Sequence, residues 1–230
     1  MKSPHERIVF ALDVPSGAEA RKYLGLLGGH VGAFKVGPEL LLAAGPDFIR
    51  SIQQPVMLDL KLHDIPETIE RAVLRAGDLG VKFLTLHVQQ REAMRRAVQG
   101  AEQTGIQLLA VTMLTSMNER DCRDLRFNEA TCRPAARANY LAGLAWEEGI
   151  TGLVTSPLEV EMLRAKYPDA VLVCPAIRPP GADAADQKRK GTPGMAVKSG
   201  ADYLVLGRPI RDADDPRAMV EAIAAEITAP

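Results

Sequence analysis

The stretch VMLDLKLHDIPETIERAVLRAGDLG, residues 56–80, contains a strand pattern followed directly by a helix pattern. Residues 56–62 are a short apolar run beginning with a β-branched valine, which is typical of a parallel strand covered on both faces. Residues 67–80 place apolar side chains at helical spacing and end at Gly80, a common helix stop signal. The stretch therefore predicts one βα unit.

The same alternation continues along the chain. Amphipathic segments include residues 91–105 and 157–167, and the last helix is predicted to have Asp215 as N-cap and Pro216 in its first turn. Eight strands, each followed by a helix, predict a single (β/α)8 TIM barrel of the α/β class over residues 1–230. A doubly wound sheet is the alternative, but it usually has fewer strands, and no GxGxxG follows the first strand. The seven further strands are predicted at residues 8–14, 33–37, 83–88, 107–114, 151–156, 171–177 and 203–207.

Composition limits the classes of partner. The chain has 230 residues, 47% hydrophobic and 25% charged, with a formal net charge of −1, which argues against a nucleic-acid-binding surface. Its three cysteines form no CxxC pair, so a zinc or disulfide scaffold is poorly supported. The N-terminus lacks a signal-peptide layout, and no apolar run approaches the roughly 20 residues of a membrane helix. We expect a cytoplasmic protein with no membrane partner.

Charged residues at the end of the quoted strand indicate a site. Asp59 and Lys61 share one face of the strand because side chains alternate, and the intervening leucines face the helices. Lys35 in the second strand is expected to point into the barrel in the same way. Asp13 ends the first strand and His87 the fourth. Barrel active sites lie at the carboxyl ends of the strands, so this ring predicts an active site; a purely structural salt-bridge layer is the alternative.

The helix after this strand has its own signals. Asp64 fits an ordinary helix N-cap, with Pro66 in the first turn and Glu67 as its capping partner. His63 is expected to be solvated or locally bonded rather than to act as a ligand.

The eighth strand ends in an anion-site pattern, LVLGRPI (204–210). Gly207 lets the backbone approach an anion, and the Arg208 guanidinium binds one bidentately. Arg178 and Gln187, in the connection 178–192, would support a phosphate site; a solvated loop with scattered charges is the alternative. The connections 115–130 and 178–192 are long enough that we expect them to be functional or disordered.

DLKLHDIPETI (59–69) resembles the DxKxxDIPxT signature of the orotidine 5′-phosphate decarboxylase family, in its bacterial type. Further matches occur in order along almost the whole chain. They are FALDV (10–14), FKVGPELL (34–41), LAVTMLTS (109–116), PAIRPPGADAADQKR (175–189) and ADYLVLGRPI (201–210).

The resemblance implies decarboxylation of orotidine 5′-phosphate to uridine 5′-monophosphate and CO2, the last step of de novo pyrimidine nucleotide synthesis, with no cofactor or metal. It makes Lys61 the proton donor to C6 and places Asp59 beside the departing carboxylate. Lys35 and Asp13 would contact ribose hydroxyls.

The resemblance also implies a homodimer with shared active sites, because three of the matching positions reach into the neighbouring subunit's site. These are Asp64, Ile65 and Thr68. The remaining matches imply pyrimidine or phosphate contacts by Thr115, Pro175, Gln187, Gly207 and Arg208. They also imply a lid loop that begins at Arg178.

Two places depart from the family pattern. His87 is followed by Val88, Gln89 and Gln90 where a small residue and a Gly-Gly pair are usual. The usual TPGIR is CPAIR here, with Cys174 and Ala176.

Three other functions are possible for such a barrel. Relatives resembling 3-keto-gulonate-6-phosphate decarboxylase or hexulose-phosphate synthase use Mg²⁺ and have a glutamate at the position of Lys35, where a lysine repels a divalent ion. A Schiff-base aldolase using Lys61 is disfavoured, because nearby aspartates keep that lysine protonated. A non-catalytic phosphate-binding barrel is the third.

Overall fold

A closed eight-stranded barrel forms the centre of the protein. The computed structural model describes residues 2–88, 90–179 and 191–228. Each strand pairs in parallel with its sequence neighbours, and β8 closes on β1, which confirms the (β/α)8 prediction. The strands are β1 Ile8–Ala11, β2 Ala33–Val36, β3 Val56–Leu62, β4 Phe83–His87, β5 Gln107–Val111, β6 Gly152–Val154, β7 Val171–Cys174 and β8 Tyr203–Leu206.

Helices surround this barrel, and their ends follow the sequence signals. Gly80, Gly105 and Gly149 have φ of 73°, 74° and 87°, so the predicted stop residues are confirmed. Asp215 Oδ1 accepts 3.0 Å hydrogen bonds from two amides of the last helix, as predicted for its cap. The helices are α1 Pro4–Arg7, α2 Gly17–Leu27, α3 Pro38–Arg50 with a break at Gly45, α4 Pro66–Asp78, α5 Arg91–Thr104, α6 Glu119–Asp124, α7 Pro134–Glu147, α8 Val160–Lys166, α9 Pro193–Lys198, α10 Arg208–Arg211 and α11 Pro216–Thr228.

The core has two parts, one outside the barrel and one inside. Phe34, Val36 and Leu58 belong to the large cluster between strands and helices, which confirms their predicted outward orientation. The interior is filled by a second apolar cluster of Val9, Ala33, Met57, Phe83, Leu109, Val173 and Tyr203. Since side chains alternate, residues two positions further along these strands face the same interior, nearer the carboxyl ends.

Strand β3 is irregular where it carries the charged residues. It runs from Leu58 to Leu62 while β4 advances only from Leu84 to Leu86, so β3 contains extra residues that do not pair. Within this bulge Lys61 has a φ of 48°, in the left-handed region that side-chain-bearing residues disfavour.

The connection 115–130 is folded, so of the two expectations for it, a functional or a disordered loop, the second does not hold. It contains α6, whose N-cap Asn118 and third residue Asp121 form a capping box. Cys122 of this helix packs against Met113 and Cys132 in a small buried cluster. The helix is only six residues long, too short for a periodic pattern to predict. In the described ranges no helix has the length and apolar character needed to cross a membrane.

Candidate active site

Asp59 is the centre of an ion-pair network at the carboxyl ends of β1 to β3. Lys61 Nζ donates to both Asp59 oxygens at 2.9 Å. Lys35 Nζ lies 3.4 Å from Asp59 Oδ2 and donates to Asp13 Oδ1 at 2.8 Å. The structure therefore brings together the four charged residues predicted on the first three strands.

The centre of the network lies mostly out of water, while Lys61 and Asp13 at its edge are more exposed. The side chains of Lys35 and Asp59 are 12% and 13% exposed. Burial alone would raise the pKa of Asp59, but Lys35 and Lys61 outweigh it and lower that pKa. Burial likewise opposes the charge on Lys35, but Asp59 and Asp13 outweigh it and raise the pKa of Lys35. Both groups are therefore held in their ionised forms.

Above the network the barrel opens into a cavity with a charged floor and mainly apolar walls. Thr115 and Pro175, two predicted substrate contacts, line it. The walls also include Val111 of β5, Val154 of β6 and Val205 of β8. This combination suits a flat ring placed against apolar side chains, with its reacting atom near the ammonium groups.

The predicted anion-site residues lie on the same side of the barrel. Gly207 follows β8, and a methyl group there would lie 3.7 Å from Asp13 Oδ2, so its backbone comes close to the network. Arg208 begins α10 with an exposed side chain. Arg178 Nη1 donates to the Ile177 carbonyl at 2.8 Å, and its amide donates to the Gly191 carbonyl at 2.9 Å. Gln187 lies outside the described residues.

Asp64 does not cap α4, so that interpretation was wrong. The N-cap is Ile65, and Asp64 Oδ1 instead accepts a 2.7 Å hydrogen bond from the Ile65 amide. Asp64 and Ile65 are exposed, and Thr68 in the first turn of α4 is partly exposed. These residues face outward at the rim, while the lysine–aspartate network lies inside.

One neighbour of the network, and the contact between two histidines beside it, were not predicted from the sequence. Thr85 of β4 is 1% exposed and donates to Asp59 Oδ1 at 2.9 Å. The sequence signal that could have found Thr85 is its position two residues after Phe83, whose side chain points into the barrel. The ring of His63 lies 5.7 Å from that of His87, a partner the sequence did not reveal. Burial, with His63 and Lys61 nearby, lowers the pKa of His87.

A closed (β/α)8 barrel with buried, charged residues at the carboxyl ends of its strands defines a TIM-barrel enzyme. A family model described as the orotidine 5′-phosphate decarboxylase / HUMPS family matches residues 6–223. This chain belongs to that family.

Named relatives cover nearly the whole chain. An orotidine 5′-phosphate decarboxylase of Geotalea daltonii is 45% identical over 97% of this chain and 96% of the relative. One of Anaeromyxobacter dehalogenans is 45% identical over 96% of this chain and 98% of the relative. The crystal structure of orotidine 5′-phosphate decarboxylase from Lactobacillus acidophilus matches with a TM-score of 0.85 and 34% identity, over 96% of this chain and 99% of that one.

Proposed function

We propose that this enzyme decarboxylates orotidine 5′-phosphate to uridine 5′-monophosphate and CO2 in pyrimidine nucleotide synthesis, with no metal or organic cofactor. The observation that carries the proposal is the network in which Asp59 holds two lysines at the carboxyl ends of the strands. Full-length similarity to named decarboxylases supports the substrate.

The chemistry needs a fixed cation. Loss of CO2 from C6 of the pyrimidine leaves a carbanion that cannot delocalise into a carbonyl as an enolate does. A fixed positive charge at that carbon stabilises the transition state, and an ammonium group also supplies the proton. Lys61 suits both roles, because its Nζ is fixed by two 2.9 Å contacts to Asp59 and lines the cavity.

The other charged residues take supporting roles in this proposal. Asp59 would lie beside the departing carboxylate, and Lys35 with Asp13 would bind ribose hydroxyls. Thr115 and Pro175 would contact the pyrimidine or the phosphate of the substrate. The phosphate would be held by Gly207 and Arg208, with Gln187 and Arg178 contributing from the lid. Binding of this remote phosphate would contribute to catalysis at C6.

We propose a homodimer in which Asp64, Ile65 and Thr68 complete the site of the neighbouring subunit. Exposed apolar side chains at the rim support this, because Ile65 is 56% and Leu125 is 60% exposed. Leu125 lines an apolar cavity together with His63 and His87, adjacent to the proposed shared residues. A partner surface would cover this apolar area.

The magnesium-dependent chemistry found on related barrels fits these residues less well. Lys35 Nζ lies between Asp13 and Asp59, so two of the carboxylates that would attract a divalent ion already pair with a cation. Hard cations prefer several oxygen ligands, which a lysine does not supply.

The test follows ultraviolet loss of orotidine 5′-phosphate with chelator-treated protein. We expect turnover by the wild-type protein without added metal, and a loss of at least about 1,000-fold in Lys61→Ala, which removes both the fixed charge and the proton donor. Lys82→Ala is the matched control, because Lys82 is exposed just before the first residue of β4, at the amino-terminal end of the strand and away from the cavity. Undiminished turnover by Lys61→Ala would refute the assignment. Activity only after addition of Mg²⁺ would indicate the magnesium-dependent chemistry instead.

A further inference from the structure

Thr85 joins two parts of the charged network through one hydroxyl group. Its Oγ1 accepts a hydrogen bond from the Lys61 amide at 2.9 Å and donates to Asp59 Oδ1 at 2.9 Å. The directions are fixed, since an amide only donates and an ionised carboxylate only accepts. Lys61 Nζ also donates to Asp59 Oδ1, so the contacts form a closed ring.

The bulge in β3 explains why this hydroxyl is needed. Where β3 carries extra residues, its backbone has lost the regular pairing with β4. The Lys61 amide, inside this bulge, donates its hydrogen bond to the Thr85 side chain. Lys61 has a φ of 48°, a conformation that persists only when surrounding contacts fix it. Thr85 is one such contact.

The same hydroxyl orients the carboxylate. Asp59 contacts Lys61, Lys35 and Thr85, and Thr85 is the neutral member of that set. Rotation of the carboxylate would break the bond to Thr85 and shift both ammonium groups. Thr85 itself is 1% exposed, so water does not replace its hydroxyl without a change in packing.

We propose that Thr85 is a positioning residue whose hydroxyl fixes the Lys61 backbone and the Asp59 carboxylate for the reaction. The inference rests on the proposed function, because it names the residue that sets the geometry of the proposed proton donor. Thr85 acts through these two residues and through no step of its own.

The experiment compares Thr85→Val, which keeps the shape and removes the hydroxyl, with Thr85→Ser, which keeps the hydroxyl. We expect kcat to fall roughly 10- to 100-fold in Thr85→Val, because displacement of a catalytic group by about 1 Å costs that much. KM should stay within about threefold of wild type, since the proposed phosphate contacts lie elsewhere. Thr85→Ser should retain kcat within about threefold.

If Thr85 only fills space, the order of kcat in these two variants should be reversed. Valine fills the volume of threonine and serine does not, so packing alone would favour Thr85→Val over Thr85→Ser. Wild-type kcat in Thr85→Val would therefore overturn the proposal. If Thr85→Val does not fold, Thr85→Ala decides, because wild-type kcat in that variant overturns the proposal equally.

A crystal structure of Thr85→Val, or of Thr85→Ala in its place, tests the same inference independently of activity. We expect Lys61 to leave the left-handed region, or its Nζ to move beyond 3.5 Å from Asp59. Unchanged Lys61 and Asp59 would refute the positioning role even if the wild-type protein had a different substrate. A wild-type protein without turnover would instead refute the proposed function alone.

Discussion

Ala176 has a φ of 63° immediately after the cavity residue Pro175, in a conformation that favours glycine. The left-handed backbone costs a residue with Cβ about 1 kcal/mol, and the greater freedom of glycine in the unfolded chain offsets about half of that. We expect Ala176→Gly to raise the free energy of unfolding by about 0.5 kcal/mol, measured by urea denaturation.

Ala170→Gly is the matched control for this substitution. Ala170 is buried like Ala176, lies just before β7, and does not have a positive φ. Glycine there should lower the free energy of unfolding by about 1 kcal/mol. Equal losses in the two variants would show that the Ala176 backbone is not strained.

Single residues were predictable from the sequence where side-chain alternation decided their direction. The inward orientation of Lys35, Asp59 and Lys61 followed from a period of two. The left-handed backbone of Lys61 was not predictable, because it depends on how many residues β3 inserts opposite β4. Thr85 was missed for a related reason. A threonine in a strand has many ordinary uses, and only the bulge gives this hydroxyl an amide to bind.

At the scale of elements, the packing of α4 against α5 depends on a glycine. A methyl group at Gly77 in α4 would lie 2.3 Å from Thr104 Cγ2 and 2.7 Å from Thr104 Cβ at the end of α5. We expect Gly77→Ala to lower the free energy of unfolding by about 1 kcal/mol, because the cost of overpacking exceeds the gain in helix propensity. Urea denaturation measures it.

Gly25→Ala is the control, since Gly25 is exposed within α2 and nothing lies within 4 Å of its added methyl group. This variant should gain up to about 1 kcal/mol, because alanine favours the helix. A gain of the same size in Gly77→Ala would mean that α4 and α5 do not require a close approach.

Elements were predicted well where their patterns were long and less well where they were short. All eight strands were found, but the predicted runs at β5 and β7 extended to 114 and 177, beyond the observed ends at Val111 and Cys174. The chain stays apolar or extended there after strand pairing has stopped. The helices α1, α6 and α10 were missed, because four to six residues show no helical period.

At the scale of the whole molecule, the charged network ties the first four strands together and contributes to stability. The lowered pKa of Asp59 means that its ionised form stabilises the fold above about pH 4, and that this stability is lost as pH falls through the folded pKa. The raised pKa of Lys35 means that its contribution is complete below about pH 10.4 and is lost as pH rises through its folded pKa.

Asp59→Asn should therefore be less stable than the wild-type protein at pH 7, where Asp59 and both lysines are ionised in the wild type. We expect a loss of roughly 3 kcal/mol, because the substitution leaves Lys35 and Lys61 close together without their shared carboxylate. Urea denaturation at that pH measures it. Asp47→Asn, at a 93% exposed side chain, is the control and should change stability by less than about 0.5 kcal/mol. Greater stability in Asp59→Asn would mean that repulsion, not attraction, dominates the site.

The proposed sharing of active sites is testable by mixing two inactive proteins. In a heterodimer of Lys61→Ala and Asp64→Ala, one site combines the intact Lys61 of one subunit with the intact Asp64 of the other. If the subunits of an equal mixture exchange at random, about a quarter of all active sites would thus carry neither substitution.

Mixing Lys61→Ala with Lys35→Ala is the matched control for this complementation. Both residues belong to the network within one subunit, so every site in that heterodimer carries a defect. We expect the first mixture to recover activity in the decarboxylation assay and the second to recover none. If native mass spectrometry shows heterodimers of Lys61→Ala and Asp64→Ala but no activity returns, Asp64 does not act across the interface. Its exposed carboxylate at the start of α4 would then serve only the local bond to the Ile65 amide.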